Sequence, residues 1–240
     1  MAVRFNVYDL LNIISKRIKI FIDNLTPIVK LLLLLNIGVY IIQFIGGNIL
    51  HIPFFLTTIK IIDNKSIVDF SEFFKIFSFY FPYLKKYFLL SQFLTYQFVH
   101  SGFMHLFFSI LLLGSAGPFV ERQIGARPFL KLYLLSGVFA GFCQLLFAKI
   151  GCNSIAGASC SICAVWSTFA FMNPSIKLMI IPGVPKSTVS AKMLIQIYAG
   201  LTLVMAFLSG NPIIHFANLG GMLFGYLYVK NVWGLKKIIG

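Results

Sequence analysis

H-F-A-N-L-G-G-M-L-F-G, residues 215–225, decides the architecture. The run is apolar enough for a bilayer, yet it holds His215 and Asn218. Gly221 and Gly225 follow Asn218 at +3 and +7, so the two glycines share one face of a helix. A Gly-x-x-x-Gly face lets helix backbones approach closely inside a membrane. Polar side chains there are expensive, and they face a bundle interior or a wet cavity. The run therefore asks for a packed bundle with a polar pocket.

The remainder of the chain supplies that bundle. Of 240 residues, 59% are hydrophobic and 11% are charged, against roughly 25% charged in a soluble domain. Mean hydropathy is +0.90. An ordinary soluble enzyme, a disordered chain and a disulfide scaffold are excluded. Six runs approach the roughly 20 apolar residues a span needs: 30–50, 100–120, 128–148, 155–172, 193–208 and 212–232. The predicted fold class is all-α, a polytopic six-transmembrane-helix bundle over residues 30–232. The first apolar run is long and lacks an A-x-A exit, so it reads as a retained helix and not a cleaved signal. Residues 51–99 make a long outer loop, expected as short interfacial helices rich in Phe and Tyr. In the basic segment 1–29, the pattern over Leu10 to Ile22 fits a helix on the membrane surface, and a solvated tail fits equally. Residues 233–240 form a short basic tail.

Net charge is +14. No basic cluster is interleaved with aromatics in a soluble segment, so nucleic acid is not the expected partner; the lipid bilayer is. Arg4, Lys16, Arg17, Lys19 and Lys30, then Arg122, Arg127 and Lys131, then Lys177, Lys186 and Lys192, then Lys230, Lys236 and Lys237 fall on one side of the six spans. That side is cytoplasmic by the positive-inside rule, which puts both termini inside. The asymmetry suits a bacterial inner membrane, with an organelle as the alternative. Cys143, Cys152, Cys160 and Cys163 lack the further ligands a metal site needs. They read as small hydrophobes, and no metal or cofactor is expected. Few intramembrane charges and no repeat of spans argue against a transporter.

Spans two, four and six run from outside to inside, and each opens with polar residues: His100, His105 and Ser109; Ser159 and Ser161; His215 and Asn218. His105, Ser159 and Asn218 each lie about 6–9 Å below the outer ends. Interhelical glue and a functional site both fit that shared depth.

H-S-G-F-M-H-L-F-F-S (100–109), G-P-F-V-E-R-Q-I-G (117–125), F-L-K-L-Y-L-L-S-G (129–137), G-A-S-C (157–160) and H-F-A-N-L-G-G-M-L-F-G (215–225) resemble the rhomboid family of intramembrane serine proteases. The likeness runs in order from about Phe93 to Val229. It implies a six-helix core and a Ser–His dyad in a cavity open to the outside. It also implies oxyanion donors from an H-x-x-x-N on the second span and transmembrane helices of other proteins as substrates or clients. On this pattern Ser159 takes the nucleophile position and Gly157 the first motif glycine. His105 takes the oxyanion-side histidine, and Glu121 and Arg122 the structural Glu-Arg.

The departures from that pattern carry the functional reading. The general-base position is Asn218, framed by Ala217, Gly221 and Gly225. An amide cannot usefully accept the serine proton, although it can hydrogen-bond Ser159. Ser109 stands at the oxyanion asparagine, Cys160 at the glycine after the nucleophile, and Cys163 where an aromatic often packs. The expectation is a rhomboid-like protein impaired or inactive as a protease, binding transmembrane helices. The alternative is an active serine endopeptidase with Ser159 as nucleophile and His215, three residues before Asn218, or an unusual arrangement as base.

Overall fold

A computed structural model of the chain describes residues 7–46, 58–62, 65–69, 76–78, 90–147, 155–179, 187–208 and 212–239. Helix α1 covers Val7–Asp23 and α2 covers Pro27–Phe44. Helix α2 starts three residues before the apolar run because Thr26 is extended and Pro27 suits the first helical turn.

That start is fixed from outside α2. The buried carboxylate of Glu121 accepts hydrogen bonds from the backbone N–H groups of Ile28 at 3.1 Å and Val29 at 3.0 Å, and from the Thr26 hydroxyl. The first N–H groups of a helix have no partner of their own, and they carry the positive end of its dipole. A carboxylate there makes charge-assisted bonds. Next to it, Arg122 donates to the Asn24 carbonyl. The Glu-Arg pair thus clamps the joint between α1 and α2. Val29 fills the notch at Gly117, and the Phe21 ring lies against Gly114.

The long loop differs from the expected set of interfacial helices. Strand β1 (Thr58–Ile62) pairs antiparallel with β2 (Lys65–Asp69), with Ile62 opposite Lys65. The β-branched Thr58, Ile59, Ile61, Ile62, Ile67 and Val68 favour strand over helix. Helix α3 (Gln92–Thr95) and a 3-10 turn (Tyr96–Phe98) close the described part of the loop.

Helix α4 (Phe103–Ile124) ends at Gly125, whose φ of 91° suits glycine, and α5 covers Ala126–Phe147. Helix α6 (Ser159–Met172) follows. A hairpin of β3 (Lys177–Met179) and β4 (Thr188–Ser190) leads to α7 (Ala191–Leu208), and α8 covers Pro212–Ile239. The Ser190 hydroxyl accepts the Met193 N–H at 3.2 Å and caps α7. Each of the six apolar runs holds one helix, so the chain is an all-α membrane bundle with two small hairpins in its loops. Helices α2, α4, α5 and α7 are long and apolar enough to cross a membrane.

Helix α6 has 14 residues, about 21 Å of rise, too little to cross alone. It is the central element, with Cys160 to Val165 all buried. Helix α8 packs on it backbone to backbone. A Cβ at Gly221 would overlap the Cys160 carbonyl, and one at Gly225 would overlap the Ala164 carbonyl. The Thr168 hydroxyl donates to the Gly225 carbonyl at 3.1 Å across the same seam. On the other side of α6, Trp166 Nε1 donates to Leu112 of α4 at 3.1 Å. Where α4 and α6 end, the side-chain amides of Gln123 and Asn173 pair reciprocally at 3.0 and 3.4 Å. The main core gathers Val29, Leu32, Leu113, Phe129, Leu132, Val165 and Ala191 from five of the six helices. Helix α7 is held least, with only Ala191, Thr202 and Ala206 buried.

Replacing Glu121 with Ala leaves two backbone donors and a hydroxyl unpaired in a buried place, at about 1–3 kcal/mol each before relaxation. Glu121→Ala is expected to lower the unfolding free energy, measured by denaturation in detergent, by several kcal/mol, and Glu121→Gln, which keeps one acceptor, by less.

Candidate functional site

Helix α6 begins where the chain can no longer avoid a glycine. Gly157 has φ of 111°, a region L side chains rarely adopt. A Cβ there would also strike the His105 imidazole. The Gly157 N–H donates to the Tyr96 carbonyl at 2.8 Å, tying this turn to the 3-10 segment of the loop. Ser159, the first residue of α6, is thereby set beside His105.

The loop segment is itself pinned to the bundle. Gln97 accepts the Ser161 hydroxyl at 2.8 Å and donates to the Leu134 carbonyl of α5 at 3.3 Å. Tyr96 donates to the Gly137 carbonyl at 2.8 Å. Both side chains are fully buried, and Gly137 leaves the space that Gln97 fills. A buried polar network of this kind specifies one arrangement.

His105 is half-buried. Its Nδ1 pairs with Ser101 Oγ at 3.1 Å, and its ring meets the buried His100 ring edge-on with centroids 5.1 Å apart. His100 Nδ1 donates to the Phe98 carbonyl at 3.2 Å, so His100 belongs to the packing ahead of α4. Ser109 gives its hydroxyl hydrogen to the His105 carbonyl at 2.8 Å, a bond within its own helix.

A cavity of about 330 Å³ lies between α4, α6 and α7. His105, Ser109, Ser159, Cys163 and Tyr198 are its polar points, and Phe108 and Trp166 are among its apolar walls. The Cys163 thiol donates to Tyr198 Oη at 3.8 Å.

Asn218 and His215 do not line this cavity. Asn218 is buried, and its Oδ1 accepts the Cys160 thiol at 3.4 Å. Ser159 Oγ has Cys160 Sγ at 4.0 Å as its polar neighbour. Among the described residues no hydrogen bond joins Ser159 to Asn218, so the thiol takes the place expected for the hydroxyl. His215 is half-buried and forms no hydrogen bond with a described residue. The structure therefore gathers His105, Ser109 and Ser159 around one space and sets Asn218 behind Cys160.

The Rhomboid domain family profile matches residues 88–234, well over half of the chain and all the helices around the cavity. The chain belongs to the rhomboid family. It is 30% identical over 141 residues to presenilin-associated rhomboid-like protein A, mitochondrial, of Danio rerio. That match covers 55% of this chain and 35% of the relative, so the chain spans about a third of the relative's length.

Two parts of this rhomboid site were not legible as such in the sequence. Tyr198 sits in the first half of an apolar run with nothing to mark it. Tyr96 and Gln97 sit in a stretch taken as interfacial loop; Gln97 among F-L-T-Y-Q-F was the available signal, because a lone amide in an apolar stretch needs partners.

Gly157→Ala adds both backbone strain and a clash with His105, and is expected to cost about 2 kcal/mol or more. Gly102→Ala is the control. Gly102 is extended, and a Cβ there meets nothing within 4 Å. Denaturation of the two variants in the same detergent should separate them clearly.

Proposed function

We propose that this rhomboid is a pseudoprotease: an integral membrane protein that binds transmembrane helices of client proteins without cutting them. Asn218 at the general-base position carries this reading. A serine hydroxyl is a weak nucleophile until a positioned base takes its proton. A carboxamide does not titrate in the useful range, and here its oxygen is occupied by the Cys160 thiol. Losing the base of such a dyad typically removes about 10⁴-fold or more of the rate. Ser109 adds to the deficit. Its hydroxyl hydrogen is spent on its own helix, and one oxyanion donor is worth about 10²–10³ in rate.

The cavity fits the binding half of this role. It is walled mainly by apolar and aromatic side chains with a few polar points, which suits an apolar helix with a locally polar stretch. Its α7 wall has few buried residues, and such elements open at low cost. The basic end of the bundle, with Arg122, Arg127, Lys131, Lys192 and Lys230, is placed on the cytoplasmic side, with both termini there. The cavity then faces the outer leaflet. The same charge rule orients proteins in a bacterial inner membrane and in an organelle, and the relative's name places that relative in mitochondria.

One observation favours a second reading, a slow active protease: Ser159 and His105 share one cavity. A fluorophosphonate probe separates the two. On the pseudoprotease reading, purified protein in liposomes does not become labelled at Ser159. Labelling that vanishes in Ser159→Ala would reject it. Asn218→His combined with Cys160→Gly and Ser109→Asn is expected to restore cleavage of a model transmembrane substrate. If His215 serves as base, His215→Ala abolishes a wild-type activity while leaving the fold intact.

A further inference from the structure

The bundle has a second cavity, at the end opposite Ser159. It measures about 450 Å³ and lies between the last turns of α6, the first turns of α7 and the middle of α8. Its polar groups are Ser167, Lys192, Gln196 and Tyr226, with Phe171 among its apolar walls. Phe171 and Tyr226 meet edge-on with centroids 5.1 Å apart. Ser167 is 9% exposed, and its hydroxyl has no hydrogen-bond partner among the described residues. The side chains of Lys192 and Gln196 likewise make no hydrogen bond or ion pair with a described residue.

Charge decides what fits here. All six acidic residues of the chain are at position 121 or earlier. Glu121 is committed to the start of α2. Helices α6, α7 and α8 contain no Asp or Glu at all. Lys192 is therefore a cation at the rim of a membrane cavity with no acidic side chain on the helices that form it. Lys177 and Lys230 add positive charge at the same end. A basic pocket between spanning helices on this side of a bilayer suits an anionic lipid headgroup. The hydroxyls of Ser167 and Tyr226 and the Gln196 amide can donate to phosphate and glycerol oxygens. The exposed Phe171 leads from the cavity to the lipid-facing surface, where an acyl chain continues.

We infer that this cavity is a binding site for the headgroup of an anionic phospholipid, with Lys192 as its charge partner. The site is independent of whether Ser159 is active. It shares one wall with the first cavity, because Ile195 of α7 lines both. A lipid seated there braces the least buried helix of the bundle.

The full chain, purified in mild detergent and mixed with equimolar phosphatidylglycerol and phosphatidylcholine, tests this by native mass spectrometry. Phosphatidylglycerol is expected to be retained in preference. Lys192→Gln is expected to lower that retention about fivefold, the effect of one lysine near an anionic surface. Lys192→Arg and Lys230→Gln are expected to retain it. Lys192 is exposed, so these variants should fold, and circular dichroism checks that they do. Equal retention by wild type and Lys192→Gln would overturn the inference. So would equal retention of the two lipids, which would mean an apolar cleft that ignores the headgroup. Displacement of the lipid by millimolar sodium phosphate would also overturn it, in favour of a small-anion site.

Discussion

The contact between the backbones of α6 and α8 is the constraint on which the site depends. At Gly221 and Gly225 no side chain separates the two helices, and carbonyl groups of α6 occupy the space. In a bilayer no hydrophobic force drives helices together, so this close dispersion contact and the Thr168 bond across it hold the seam. The seam fixes the rotation of α8, and that rotation turns Asn218 toward Cys160. Any side chain at residue 218 would meet the first turn of α6. Position is thus settled by packing, and chemistry by which residue occupies it.

A second constraint acts at the other end. Glu121 is a buried charge, costly to desolvate without partners. It is offset by the donors at the start of α2. The arrangement also uses up the last acidic residue of the chain. The end of the bundle where α4 and α6 finish is left strongly basic, and the cation of Lys192 has no partner among the described residues. One capping interaction therefore has two consequences: it locks α1 and α2 to α4, and it leaves the basic residues at this end without that carboxylate.

The fold was legible because it is written in long-range composition. Apolar runs and the glycine pair at 221 and 225 are collective signals that survive local error. Boundaries were less so, for local reasons. Helix α6 begins at Ser159 and not at residue 155 because Gly157 is held at positive φ under His105. The start of α2 depends on a carboxylate 93 residues away from Ile28. The hairpin at β1 and β2 was hidden because aromatic-rich flanks suggested an interface, while the strand signal lay in a short β-branched stretch. At the site, Ser159, His105 and Ser109 line one cavity. The partner of Asn218 was not legible, since which neighbour satisfies an amide depends on side-chain directions that spacing leaves open.

Asn218 and Cys160 are best understood as one adjustment. A buried carboxamide oxygen without a donor costs about 1–3 kcal/mol. A glycine at residue 160, as in the family pattern, offers no side-chain donor. The Cys160 thiol supplies one at 3.4 Å, weak but located where the amide needs it. The same thiol lies between Asn218 and the neighbourhood of Ser159, whose Oγ it meets at 4.0 Å. Reversing either substitution alone creates a mismatch: an asparagine without its thiol donor, or a thiol crowding a histidine that must reach the serine. The thiol and the amide satisfy each other at the seam between α6 and α8. That coupling ties the side chain at residue 218 to the first turn of α6, next to Ser159.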